Sequence, residues 1–432
     1  MSLWIISSAE NTDTAVKLCE CLASSLNFHD YRHVSHEDIM MTVTDGRLGL
    51  LVRPPASEDK DQKWVVRPFS PVAPPLLAHF RVGSDMMRAD NQITLARQLH
   101  FMGARIVNSI ESMLSTTNKV WHLQELAAAG IPVPNTATYS DMNIITQVGD
   151  RLSYPLVAKS VRGNQGNAVF LIPSAHCHDE LKGVLAHDVP YLYQHYIEES
   201  RGTDCRVICV GGKAIYTMIR RAAPGAFRAN LAQGGHGEIV TGQYPEAERL
   251  AERISHILKI DICGVDLLFS GTGFVVCEVN NNPGFSKDVY KHAGIEHFIC
   301  QHLVTQLSEH PCFVPPAVAA AAEMAAAAAF CASDMEGQGA SAHLAHMAPP
   351  LMSCVAERLS ACSGAELSIQ MLVGHPYGGS LQQPQLPMPS GEPPLMGHSC
   401  SSEGSAEAAC CPDDRMEVTS MPMPMLGATM QQ

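Results

Sequence analysis

The segment DLLFSGTGFVVCEVNNNPGF, residues 266–285, sets Asp266, Glu278 and Asn280 into what otherwise reads as a packed β-hairpin. If Gly271, Thr272 and Gly273 form a three-residue loop, Ser270 faces Phe274 and Asp266 falls opposite Glu278. Side chains alternate along a strand, so Asn280 projects from the same face as Glu278. Like charges directly opposed on a sheet repel, and a positive group is expected between them. Carboxylate and amide oxygens are hard ligands. So few of them suit Mg2+ or Mn2+, which keep waters and phosphate oxygens, better than zinc. The plain alternative is a solvated Asp/Glu pair on a sheet edge; three oxygen side chains followed by Asn-Pro-Gly count against it.

Other residues have the chemistry to meet phosphates. Lys159 lies in PLVAKSV with apolar neighbours on both sides, and a lysine on the inward side of a strand is costly unless an anion meets it. The following RGNQGN carries Gly163, Gln165 and Gly166; its glycines let backbone N–H groups approach a phosphate, and the loop has the make-up of a mobile cover. Taken alone it reads more readily as a common glycine-rich hairpin turn. Lys119 sits in the first turn of a helix, where the positive end of the dipole disfavours a cation unless an anion is near. RRAAPGAFRANLAQGGHG gathers Arg220, Arg221, Arg228 and Asn230, and guanidinium forks match carboxylate and phosphate geometry. No GxxxxGK[ST] run exists, which excludes the common P-loop. His176, Cys177 and His178 read as a surface turn, because adjacent ligands point apart.

These residues need elements to position them. Over residues 1–107, strand-like LWIIS, LGLLV and ARIVN alternate with helical TAVKLCECLASSL and ITLARQLHFMG, which predicts a Rossmann-like open α/β domain. PPASEDKDQK and PFSPVAPP read as loops. Thr117 or Asn118 caps the helix that carries Lys119; Val120, Leu123, Leu126 and Ala127 form its apolar face, and Gly130 and Pro132 end it. Strands at YPLVAKSV, AVFLI, YLYQHYI, CRVICVGG and AIYTMIRR follow, with helices near HDELKGVLAH and EAERLAERISHIL, then the opening hairpin and a last helix, HFICQHLVTQLSE. The pattern is mixed α/β and α+β, with expected domains at 1–107, 108–190 and 191–312.

Composition bounds the rest. Of the net charge of −14, much belongs to the end of the chain: after Phe313 there are two arginines, no lysine and eleven acidic residues. Alanine runs, MPMPM and SCSSEGSAE fill 313–432, which reads as a mostly disordered tail. No basic footprint supports nucleic-acid binding. No run of 18 or more apolar residues suggests a membrane span, and MSLWIISSAE lacks the parts of a secretion signal. Fifteen scattered cysteines, an odd number, predict reduced thiols and a cytoplasmic location.

The order of these features resembles the ATP-grasp superfamily and, within it, the RimK-like glutamate ligases. The pattern is nearest to the animal enzymes that join glutamate to N-acetylaspartate or citrate. The resemblance is carried by PLVAKSVRGNQG together with D…EVN-x-NPGF, and covers roughly residues 78–308 well. It implies that Lys119 and Lys159 contact the phosphates of ATP, that Gln194, His195, Tyr196 and Ile197 lie along the adenine, and that Asp204 is near the ribose. It implies that Arg220, Arg228 and Asn230 reach the γ-phosphate or an acyl phosphate, with Arg220 steadying an oxyanion. Asp266, Glu278 and Asn280 would hold two Mg2+ or Mn2+ ions, and Arg81 in FRVG would meet a carboxylate substrate. The implied partners are glutamate and a small acid, with no nucleic acid or membrane; a homo-oligomer is left open. His195 stands where relatives often carry glutamate or lysine, and NNNPGF departs from the animal NANVGF toward the bacterial ribosomal-protein modifiers. The acceptor thus stays open between a small acid and a protein C-terminus. A nucleotide-binding protein without turnover is the alternative of another class.

Overall fold

Five apolar or small residues in a row, Leu3–Ser7, make β1, buried along its whole length. Burial on both faces marks a strand covered on both sides. Leu3 and Ile5 point into one core and Trp4 and Ile6 into another. The structure, a computed structural model, describes residues 1–8, 11–54, 68–82, 86–138, 145–163, 168–182, 190–225, 227, 229, 231, 234–315, 318 and 324. All of these belong to one compact unit, Met1–Leu372; a second, Val373–Gln432, lies outside the described residues, as does nearly all of the expected disordered tail.

The first elements are β1, α1 (Thr12–Ser24), β2 (Tyr31–Ser35), β3 (Ile39–Thr44), β4 (Arg47–Val52), β5 (Ser70–Pro71), β6 (Leu77–Arg81), α2 (Met86–Phe101) and β7 (Arg105–Val107). A parallel sheet runs in the order β2-β1-β6-β7, with β3-β4-β5 as a separate antiparallel sheet. The sequence reading placed LGLLV in the main sheet. The structure gives that place to β6, whose LAHFR is masked in composition by His79 and Arg81, both fully buried.

Next come α3 (Ile110–Thr117), α4 (Lys119–Ala128), β8 (Thr136–Thr138), α5 (Ile145–Leu152), β9 (Leu156–Ser160), β10 (Val169–Ile172), α6 (Ala175–Lys182) and β11 (Tyr191–His195). The cap of α4 is Asn118, whose Oδ1 accepts from Val120 N at 2.9 Å. Its buried face is His122, Leu123 and Leu126; Ala127 is exposed, contrary to the expected stripe. An antiparallel sheet runs β10-β9-β11-β8. Because β11 is hydrogen-bonded between β9 and β8, this sheet extends to His195. His176 to His178 lie on α6 and not in a surface turn; His178 is buried, with Nδ1 2.9 Å from the Tyr154 hydroxyl.

The last group is β12 (Thr203–Val210), β13 (Lys213–Arg221), β14 (His236–Ile239), α7 (Pro245–Ile257), β15 (Ile262–Ser270), β16 (Gly273–Asn280) and α8 (Ile295–Ser308). The antiparallel sheet β14-β13-β12-β15-β16 buries Cys205, Val207 and Cys209 against α7 on one face. On its other face β12 presents Asp204 and Arg206, then Ile208 and Val210, so one strand face is charged at one end and joins the core under β1 and α8 at the other. Among the described residues eight cysteines, Cys19 and Cys300 among them, are free thiols, whereas Cys312 is disulfide-bonded. Among the described residues no helix is long and apolar enough to cross a membrane.

Candidate active site

The β15–β16 hairpin reaches its predicted pairing by another route. Its loop has two residues, Gly271 and Thr272, with Ser270 opposite Gly273, which takes φ +120. That shorter loop would put Asp266 one residue out of step with Glu278. A β-bulge at Cys277 restores the register: Leu267 pairs Val276, and Asp266 pairs Glu278. Val276 and Val279 are anchored in the α7 core, so Cys277 and Glu278 both turn to the opposite face.

On that face a belt of charged side chains crosses four strands. Arg220 on β13 pairs Asp204 on β12; Arg206, two residues along β12, pairs Asp266 on β15, which pairs Glu278 on β16. Arg220 Nε and Nη2 donate to the two Asp204 oxygens at 2.6 Å each, and Nη2 lies 2.9 Å from Asp266 Oδ2. Arg206 Nε and Nη2 donate to the two Asp266 oxygens at 2.7 Å. The positive partner expected for Asp266 is therefore present as two guanidiniums. Burial alone raises the Asp266 carboxyl, but Arg206 and Arg220 outweigh it and hold it at about 2.

Belt and sheet β10-β9-β11-β8 enclose a cavity of about 380 Å³. From β9, Lys159 Nζ reaches Cys277 Sγ at 3.2 Å. Among the described residues no carboxylate lies within ion-pair distance of it. Lys119 Nζ donates to Gly163 O at 2.7 Å and stands 3.7 Å from Glu278 Oε1. It thereby ties the start of the glycine-rich segment, where Gly163 takes φ +115, to the carboxylate end. Gln194, His195, Tyr196 and Ile197 also line the cavity, with Val157 of β9 and Leu268 of β15, a partly apolar slot of the kind a planar ring fills. Asp204 and Asn280 also line the cavity, although both Asp204 oxygens are engaged by Arg220.

Arg81 is not at the cavity wall. It is fully buried behind it, donating from Nε to Thr14 Oγ1 at 3.3 Å and from Nη2 to Pro283 O at 2.8 Å, with the Phe285 ring 5.0 Å from its guanidinium carbon. Its Nη1 has no hydrogen-bond partner, and burial brings its pKa down to about 9. Thr14, Val82 and Pro283, which flank it, do line the cavity. Arg228, Asn230, Gln165 and Gly166 lie outside the described residues.

Sequence reasoning missed Arg206, the bulge residue Cys277, and Asn11 and Thr14 at the start of α1. The signal for Arg206 was legible: in Asp-Cys-Arg it shares a strand face with Asp204. Asp266, Glu278 and Asn280 form an oxygen-only donor set on one wall, and Glu278 keeps one quarter of its side chain exposed. That chemistry fits a hard divalent cation; among the described residues no group of three or more His, Cys, Asp and Glu side chains that could hold a metal gathers, here or elsewhere.

Solved structures define the class first. A RimK-domain ATP-grasp protein from Sphaerobacter thermophilus superposes with a TM-score of 0.52 at 19% identity, over 70% of this chain and 99% of that one. The VanG D-Ala:D-Ser ligase of Enterococcus faecalis gives 0.52 at 16%, over 71% and 100%. The fold is that of the ATP-grasp proteins. Residues 116–303 match the family described as RimK-like ATP-grasp domain. A probable alpha-L-glutamate ligase of Alcanivorax borkumensis is 34% identical over 206 residues, 47% of this chain and 67% of that relative. The chain belongs to the RimK-like ATP-grasp family. It is also 37% identical over 260 residues to beta-citrylglutamate synthase B of Danio rerio and 38% over 259 to N-acetylaspartylglutamate synthase A of Homo sapiens. Each match takes in 59% of this chain and spans only 60% and 62% of those relatives.

Proposed function

We propose that the chain is an ADP-forming carboxylate–amine ligase that joins glutamate to a small acid of the N-acetylaspartate or citrate kind. The observation that carries this reading is the cavity itself, where two inward lysines, Lys119 and Lys159, face the wall that holds Asp266, Glu278 and Asn280. A carboxylate is a poor electrophile, so it is first phosphorylated by ATP, and phosphoryl transfer depends mainly on placement and electrostatics. Lys119 and Lys159 hold the phosphate chain; Gln194 to Ile197 take the adenine ring. Asp266, Glu278 and Asn280 would hold two Mg2+ or Mn2+ ions, which when bound neutralise charge along the phosphates. Arg220, fixed by Asp204 and Asp266, keeps a cation aimed at the point where the glutamate amine attacks the acyl phosphate. Asp204, which the family resemblance set near the ribose, acts in this reading by holding Arg220. Arg81 sits with the start of α1 at the carboxyl ends of β1 and β6, the crevice where open α/β sheets take ligands, and serves the acid substrate from behind Thr14.

The test is mass spectrometry of products after incubation with ATP, Mg2+ or Mn2+, glutamate and a panel of small acids, with ADP followed in parallel. ADP release that requires glutamate and one acid, with a matching amide product, is expected. Asn281 and Pro283 of NNNPGF favour a second reading, glutamate addition to a protein C-terminus; labelled glutamate entering protein and not a small product would select it. Binding of ATP with no ADP from any acceptor would select the non-catalytic alternative.

A further inference from the structure

We propose that Arg206 keeps the cation site closed until the nucleotide arrives, so that a divalent cation enters with the triphosphate and not ahead of it. The inference rests on reading Asp266, Glu278 and Asn280 as the cation's ligands. Arg206 takes both Asp266 oxygens at 2.7 Å, Arg220 adds a contact at 2.9 Å to Oδ2, and Asn280 Nδ2 lies 3.4 Å from the same atom. A carboxylate offers about four acceptor positions, so little of Asp266 is left for a metal while Arg206 stays.

The local charges point the same way. Asp204, Asp266 and Glu278 bring three negative charges to this end of the cavity, against positive charges on Arg206, Arg220, Lys119 and Lys159. A free cation meets no excess negative charge there, whereas a metal triphosphate supplies its own.

Only one of the two arginines is placed to yield. Arg220 is pinned by both Asp204 oxygens and its side chain is 3% exposed; Arg206 is 14% exposed and has Asp266 as its one carboxylate partner among the described residues. Across the pair of strands stands Gly264, where an added Cβ would lie 3.8 Å from Arg206 Nε. Pro283 packs against that flank, its Cβ 3.1 Å from the added one, and the open side of Arg206 is the cavity that it lines. When phosphates fill the cavity, the fork that held a carboxylate finds equally suitable oxygens on them, and Asp266 is freed for the cation.

The experiment is a Mn2+ titration of the full chain followed by electron paramagnetic resonance, with and without a non-hydrolysable ATP analogue. The wild type is expected to take up Mn2+ only with the analogue. Arg206→Gln is expected to bind Mn2+ without it, on the order of tenfold or more tighter than the wild type. Arg206→Lys keeps the charge but not the two-pronged grip and should fall between; it decides the question if circular dichroism shows the glutamine variant unfolded. Wild-type uptake that is equal with and without the analogue, or folded variants that bind no more tightly than the wild type, overturns the role of Arg206 and leaves the ligand reading standing. No uptake by any form even with the analogue overturns both.

Discussion

Lys159 extends from β9 with its Nζ 3.2 Å from a thiol and only 9% of the residue exposed. A buried ammonium without an anion is a standing cost to the fold. Lys159→Met should therefore leave the melting temperature of the ligand-free protein unchanged or raise it. It should also weaken ATP binding on the order of tenfold or more, since it removes a phosphate partner; thermal melts with and without ATP and Mg2+ separate the two effects. Glu278 behaves differently, being partly exposed and 3.7 Å from Lys119. Glu278→Ala is expected to melt near the wild type but to lose ADP release by about 10²-fold or more; a rate within a few-fold of the wild type would remove it from the ligand set. Both residues were legible from type and spacing, because each is out of character with its strand. Arg206 was not picked out, although its place two residues after Asp204, on the same strand face, was the available signal.

At the scale of elements, the hairpin shows how a correct pairing can follow from an incorrect turn. Asp266 meets Glu278 because a two-residue loop and one bulge together shift the register as a three-residue loop would have. Composition does not reveal bulges; here the bulge breaks the alternation, with Val276 and Val279 three residues apart in one core and Cys277 and Glu278 on the other face. The main strands that carry the site were legible as apolar runs; β6 was hidden by its buried His79 and Arg81, and β14 by its exposed polar residues. Close approach between elements leaves a sharper test at Gly264. A Cβ there would lie 3.1 Å from Pro283 Cβ, so Gly264→Ala must push the segment after β16 outward. The expected cost is about 1–3 kcal/mol in denaturant unfolding, with a parallel loss of ADP release.

For the whole molecule, acid sensitivity has identifiable origins. His79 and His122 are fully buried, and burial first, with Arg81 and Lys119 respectively adding to it, lowers each from 6.5 to about 3. Between those values the unfolded chain binds protons that the folded chain refuses, so stability falls as pH falls through that window. The contribution lost is about 2 kcal/mol per histidine by pH 5. Denaturant midpoints measured from pH 7 to 4 should drop accordingly, and the slope should flatten in His122→Gln if that variant folds.

Three hydrogen bonds cross from the region of the parallel sheet to the segment after β16: Arg81 Nη2 to Pro283 O at 2.8 Å, Asn282 Nδ2 to Val82 O at 3.0 Å and Asn108 Nδ2 to Asn281 O at 2.9 Å. Residues 281–283 thus knit the parallel sheet to the strand that carries Glu278 and Asn280. Evolution cannot retailor the crevice beside Arg81 without consulting the strand that carries Glu278 and Asn280, and any transplant of the first hundred residues between relatives has to bring that tripeptide along.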